Sequence, residues 1–160
     1  NLTNELQDNK IRLLKNIVGL WVLQELEKET KLSCLELTNL AINSKEEAFI
    51  IDLSNDIFLE QGNVILKIKN EYEKKYGNFN NDLGFIVKII LNSLVNLYFK
   101  NINNLEKITK RKYKRIHIIG GGCKNKYFIK KIKEKIDKDI IIHEKLNSSI
   151  GNLKLIINSI

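Results

Sequence analysis

The sequence predicts an α/β fold that is rich in helix and poor in sheet. Three observations carry this expectation. Apolar residues recur at helical spacing through much of the chain before residue 112. Two short β-branched runs, Ile116-His117-Ile118-Ile119 and Ile140-Ile141-Ile142, stand near the end. Between them, Gly120-Gly121-Gly122 joins the first run to a helical stretch. The order strand, glycine turn, helix, strand makes the two strands parallel, because a helical crossover returns the chain in the same direction. Two strands are a narrow sheet for such a domain. The rest of the sheet is therefore expected before Asn1 or in another chain.

Taken in order, residues 10–29 read as one helix, with Ile11, Leu14, Val18, Trp21 and Leu26 on its apolar stripe. Ser33 caps a second helix to about Asn43, and Glu36, three residues on, completes a capping box. Phe49-Ile50-Ile51 opens an irregular segment, residues 52–63, rich in turn formers. A lysine-rich amphipathic helix runs from Val64 to Tyr76 and stops at Gly77. A long helix follows from about Asp82 to Arg111, with Leu83, Ile86, Ile90, Leu94, Leu97, Ile102 and Leu105 facing inward. After the strand at 116–119 and the glycine triplet, a helix is expected from about Lys124 to Ile136. The strand at 140–142 precedes a polar turn, and Ser148 caps a last helix that carries Gly151 and Asn152.

At 160 residues and 43% hydrophobic content, the chain is at most one ordinary domain with a real core. No apolar run reads as long enough to span a bilayer. The most apolar stretch, Leu83 to Phe99, is interrupted by Lys88, Asn92, Ser93 and Asn96. With no signal peptide in view, the expectation is a soluble, cytoplasmic protein without a membrane partner. Cys34 and Cys123 are far apart and form no CxxC, so neither a disulfide framework nor a zinc site is indicated. The net charge of +8 raises nucleic acid as a partner. The excess is almost all lysine, however, whereas base readout leans on arginine. With many Lys, Asn and Ile residues and no Pro, the basic balance reads as a drift of the whole surface.

Of the chain's 8 glycines, three stand together at a strand-to-helix junction. Without Cβ atoms they permit positive φ and let a ligand lie against bare backbone. Free N–H groups at the start of the next helix suit a phosphate or a polarised ring edge, which makes a nucleotide the leading candidate ligand. The alternative is a tight turn and nothing more. A dinucleotide fingerprint fits poorly: Gly120 and Gly122 match, but Asn125 stands at the third glycine position, with Glu144 as the ribose acid. No Gly-Lys-Ser/Thr follows to make a P-loop. Cys123 at a helix start, with His117 and His143 near strand ends, is a conceivable nucleophile pair that lacks a visible third group. Residues 107–115 hold six cations in nine positions with Tyr113 among them. That run reads as a solvated helix end or as a nucleic-acid patch.

Several segments, in order, resemble the rhamnulokinase-like members of the FGGY carbohydrate kinases. Thr3-Asn4-Glu5 and the stretch from Arg12 through Lys15-Asn16-Ile17, Gly19-Leu20-Trp21 and Gln24-Glu25 are similar to that family's Thr-Asn-Glu segment and following helix. Residues 49–58, with Asp52, Asn55-Asp56 and Phe58, resemble its Asp-Pro-x-Asp-x-x-Phe stretch. Ser93-Leu94 to Tyr98 resembles its Ser-Leu-Ala-x-x-Tyr helix. Residues 116–125 look like its adenosine-side signature, and Ser148-Ser149-Ile150-Gly151-Asn152 like its Ile-Gly-Asn turn. The chain departs from the pattern where Leu53 and Gln61 replace prolines and where residues 143–147 replace Gly-Pro-x-Glu-Ala.

The resemblance implies an actin-like, ribonuclease-H-like fold, of which residues 1–160 are most of the C-terminal ATP-binding domain. It implies ATP and Mg2+ as cofactors and a small ketose such as L-rhamnulose as substrate. Gly120, Gly121, Gly122 and Asn125 would line the adenine and ribose, and Asn4 would lie near the substrate cleft. The catalytic aspartate and the phosphate loop belong to an N-terminal kinase domain with no counterpart here; Asp52 and Asp56 match a structural loop. The isolated chain is expected to be inactive as a kinase. The competing expectations are a basic α/β module that binds nucleic acid through residues 107–115, and an interaction fragment that completes its sheet with another chain or a copy of itself.

Overall fold

The computed structural model describes residues 2–7 and 10–143. Its elements are β1 (Leu2–Gln7), β2 (Lys10–Lys15), α1 (Trp21–Thr30), α2 (Cys34–Asn43), α3 (Val64–Tyr76), α4 (Leu83–Thr109), β3 (Arg115–Ile119), α5 (Lys126–Lys135) and β4 (Asp139–His143). Short 3-10 turns occupy Asp56–Leu59 and Gly121–Lys124. The helix-rich body with a short parallel pair is the partial α/β domain expected. Strands β3 and β4 are parallel, with His117 opposite Ile141.

The expectation of a helix from residue 10 is overturned. Residues 10–15 are not helical: they form β2, which pairs antiparallel with β1 in a register that sets Asn4 opposite Leu13. Six residues are too few to separate helical from strand spacing, and the backbone of this segment is satisfied across the hairpin instead. The helix begins only at Trp21, after Gly19 and with Leu20 as an uncapped N-cap residue. The predicted cap at Ser148 and the Ile-Gly-Asn turn lie outside the described residues.

Local chemistry explains the other boundaries. Ser33 and Glu36 form the reciprocal capping box at the start of α2. Helix α3 has no cap of its own, because Asn63 takes a left-handed φ of 54°. Its first N–H donates instead to the Glu29 carboxylate of α1 at 2.7 Å, so α1 supplies the anion that the α3 N-terminus attracts. Gly77, at φ 82°, ends α3 in a conformation that a side chain disfavours.

Helix α4 is the central beam. By length and composition it would suffice to cross a bilayer, with a mean hydropathy of 1.4, which corrects the expectation that no run is long enough. Yet 56% of that window is buried inside the protein, against α2, α5 and α1. Its interrupting polar residues are fasteners. Lys88 donates to the carbonyls of Ser44 and Glu46, Asn92 to that of Ala48 at 3.4 Å, and the Ser93 hydroxyl accepts the Ile51 N–H at 3.1 Å. This series ties residues 44–51 along the helix. Because Ser93 is 1% exposed, Ser93→Ala would strand the Ile51 N–H without water. We expect a stability loss of about 1–3 kcal/mol, measurable by chemical denaturation.

Candidate nucleotide-binding loop

Strand β3 alternates: Ile116 and Ile118 are half-buried, whereas Arg115, His117 and Ile119 are exposed. Past Ile119 the backbone must reverse. Gly120 does so at φ 85°, ψ −165°, a region that only glycine occupies without strain. The chain then makes a 3-10 turn before α5, so the helix starts two residues later than the sequence suggests. Cys123 N–H closes on the Gly120 carbonyl and Asn125 N–H on that of Gly122, both at 3.2 Å. The N–H groups of Gly121 and Gly122 make no hydrogen bond among the described residues.

A Cβ at Gly121 would meet nothing within 4 Å, whereas one at Gly122 would press on the Leu20 side chain at 3.4 Å. The two glycines thus differ: Gly121 faces open space, and Gly122 lets the loop sit against the start of α1. Asn125 is the N-cap of α5 and is 8% exposed. Its Oδ1 accepts the Phe128 N–H at 2.9 Å, and its Nδ2 donates to the Thr38 hydroxyl at 2.9 Å. Both polar ends of this side chain are engaged, and they clamp α5 to α2. The residue holds the loop from below.

Behind the loop opens a cavity of about 630 Å³, lined among others by Trp21, Tyr98, Ile116, Gly121, Gly122 and Phe128. Its walls are mostly apolar, with the Tyr98 and Phe128 rings 5.7 Å apart. Burial holds the Tyr98 hydroxyl above its ordinary pKa, so it remains a neutral donor. Cys34 also lines the cavity. Its thiol is pushed up to about 11, first by burial and then by the hydrogen bond and charge of Glu27. It therefore stays protonated at neutral pH and is a poor nucleophile.

The other candidates are placed as follows. Cys123 is buried, and its thiol donates to the Ile118 carbonyl at 3.2 Å. His117 and His143 do come together, at 2.7 Å, but on each other and not on the thiol. The nucleophile pair is thus not assembled. Asn4 is exposed on β1 and lies outside this cavity's lining. Glu144 lies outside the described residues. Within the basic run, Lys112 pairs with Glu106 at 2.9 Å and Arg115 faces Asp139 at 3.9 Å. That tethers part of the run to the fold. Sequence reasoning missed Trp21, Tyr98 and Phe128 as cavity walls, because an aromatic residue on an apolar stripe gives no sign of whether it meets core or cleft. It also missed Thr38, whose link to Asn125 spans 87 positions.

No family model matches the chain. Among curated proteins it is similar to the rhamnulokinase of Oceanobacillus iheyensis, 33% identical over 156 residues. It is likewise 33% identical to the rhamnulokinase of Halalkalibacterium halodurans over 159 residues. Against the Bacillus subtilis rhamnulokinase it is 32% identical over 130 residues. The first two matches cover 96% of this chain but 33% of each relative; the chain spans about a third of the length of the curated relatives it matches. Over that span, the run of residue matches places the chain in the rhamnulokinase family.

Proposed function

We propose that this chain is the C-terminal, ATP-side portion of an FGGY carbohydrate kinase, one that phosphorylates a ketose such as L-rhamnulose. The observation that carries the reading is the pair of Gly121 and Gly122 amides, without a hydrogen-bond partner among the described residues, at the rim of an apolar, aromatic-lined cavity. Its volume falls within the range of about 300–1,000 Å³ typical of small-molecule pockets. A purine suits such walls through stacking and apolar contact, and the two amides offer donors to the acceptor atoms of base or ribose. Gly120 supplies the turn and Asn125 fixes it to α2, so the loop is shaped before a ligand arrives. A role for Asn4 on the substrate side belongs to the same proposal and rests on the resemblance alone. Mg2+ would arrive on the phosphates: among the described residues, no group of three or more His, Cys, Asp or Glu converges on a point.

In the proposed reaction the γ-phosphoryl of ATP passes in line to a sugar hydroxyl while a carboxylate takes the proton. What this chain's residues contribute is positioning. The loop and the aromatic walls would hold the adenosine end and exclude water from it. The carboxylate and the phosphate loop would come from the remaining two thirds of the family's length. Positioning and electrostatics supply most of the acceleration in such chemistry, so this portion by itself is expected to show no kinase activity.

The test is a calorimetric titration of the chain with Mg-ADP and Mg-ATP beside Gly121→Val. That position has room for the new side chain, so the variant should fold while its methyl groups cover the loop amides. Binding by the native chain that weakens at least tenfold in the variant is the expected result. Equal binding by both would remove the loop from the site. Turnover of L-rhamnulose by the 160-residue chain would overturn the division of labour.

A further inference from the structure

We propose that His117 and His143 form a two-imidazole site for a borderline divalent cation of the Ni2+, Cu2+ and Zn2+ group, on the outer face of the β3–β4 pair. The register sets Ile119 opposite His143 and Ile141 opposite His117. Strand side chains alternate between faces, so the two histidines, diagonal across the pair, share a face. That face is the one His117 exposes, whereas Ile116 and Ile118 turn inward. The His117 Nδ1 and His143 Nε2 atoms stand 2.7 Å apart. The ring centroids are 5.0 Å apart with planes inclined by only 12°. That separation is the hydrogen bond plus one ring radius at each end. The imidazoles therefore meet edge to edge through their nitrogens and do not stack face on face.

Such a pair is already close to the spacing of a chelate. Two metal–nitrogen bonds of about 2.0–2.1 Å span roughly 2.9 Å when they meet at a right angle and about 3.3 Å at the tetrahedral angle. Opening the observed 2.7 Å to either value needs a few tenths of an ångström and a small turn of each ring. Imidazole nitrogen favours Cu2+, Ni2+ and Zn2+ over the hard cations. The hydrogen bond places one proton between the facing nitrogens. On binding, that proton moves to the far nitrogen of its own ring, and both neutral rings then offer a lone pair; the remaining coordination positions go to water. The charged neighbours on this face, Arg115 and Asp139, oppose each other at 3.9 Å and sit at the other end of the strands. Cys123 is no ligand, since its thiol is buried and turned to the Ile118 carbonyl.

The site joins the middle of β3 to the last residue of β4, with His117 three residues before Gly120. A cation there would clip β3 to β4 and stiffen the root of the glycine loop. His117 also stands at the edge of the cavity beside the glycine loop, but the proposal does not depend on the nucleotide reading, because it rests on the approach of the two imidazoles alone.

The experiment is a calorimetric titration of the 160-residue chain with NiCl2 and with ZnCl2, repeated on His117→Gln, His143→Gln, Cys34→Ser and Cys123→Ser. His117 is exposed, so its replacement leaves the core untouched, and circular dichroism checks each variant's fold. One equivalent of cation bound by the native chain, weakened at least tenfold by either histidine change and unchanged by Cys34→Ser, is the expected result. Three outcomes would overturn the proposal: no binding at millimolar cation, binding that survives His117→Gln in full, or binding abolished by either cysteine change with both histidines intact.

Discussion

Replacing Gly84 by alanine should destabilise the protein, against the ordinary trend for a helix. Gly84 is the second residue of α4, where helix propensity alone favours alanine by up to about 1 kcal/mol. A Cβ there, however, would stand 2.5 Å from the Leu40 carbonyl oxygen and 2.9 Å from the Ser44 Cβ. The obstacle is backbone of α2, which cannot swing aside as a flexible side chain would. Overpacking of this kind costs about 1–3 kcal/mol, and the rigidity of the partner puts Gly84→Ala at the upper end. The contact therefore outweighs the propensity. A lowered denaturation midpoint with an unchanged slope is the expected outcome. A rise in the midpoint would mean that α2 and α4 do not approach so closely. Gly84→Val should be worse still, because its second branch enters the same gap.

The second large effect is expected at Glu106, near the end of α4. Its side chain is 4% exposed and receives three donors: Lys138 Nζ at 2.6 Å, Lys112 Nζ at 2.9 Å and the Tyr113 N–H at 2.9 Å. The Lys138 hydrogen bond above all, then that of Lys112 and the Tyr113 amide, holds the carboxyl at about 2, well below the usual carboxylate range. The group joins α4 to the lead-in of β3 and, through Lys138, to the lead-in of β4. A carboxylate depressed in the folded state stabilises it fully above the unfolded value of about 4.3. That contribution is lost as pH falls from there toward 2. Glu106→Gln keeps the shape but removes the charge, so it should lower stability at neutral pH and flatten the acid limb. Denaturation midpoints for both proteins between about pH 2 and pH 7 make the comparison. Curves that stay parallel through the acid range would show that the three donors do not hold this carboxylate. Other depressed carboxylates, such as Glu36 and Asp52, are held by hydrogen bonds near them in sequence. They appear equally in both proteins and cancel in the difference.

Both residues show where sequence reading stops. Gly84 has no turn, no positive φ and no glycine neighbour to mark it; its need arises from the passage of α2 some forty positions away. Glu106 reads as one more charge on a lysine-rich helix until the fold brings Lys138 to it. The N-terminal strands were hidden for a related reason. Ile11 and Leu14 fit a helical stripe, and only pairing with residues 2–7 makes that segment a strand. By contrast, the α2 cap, the stop of α3 at Gly77 and the parallel order of β3 and β4 rest on local chemistry or chain direction, and they were legible.

The sequence by itself determined the local grammar of this chain: Ser33 with Glu36 at a helix start, Gly77 at a helix end, and a glycine triplet that marks the strand-to-helix junction. Its run of matched segments also pointed to the rhamnulokinase family. These signals act over a few residues, or are carried in residue identity, so they need no folded context. The tertiary structure alone decided that Asn125 is clamped by Thr38, that Trp21 and Tyr98 wall a cavity, and that two histidines 26 positions apart touch through their nitrogens. Those relations depend on which distant surfaces pack together. No pattern within a single helix or strand encodes that.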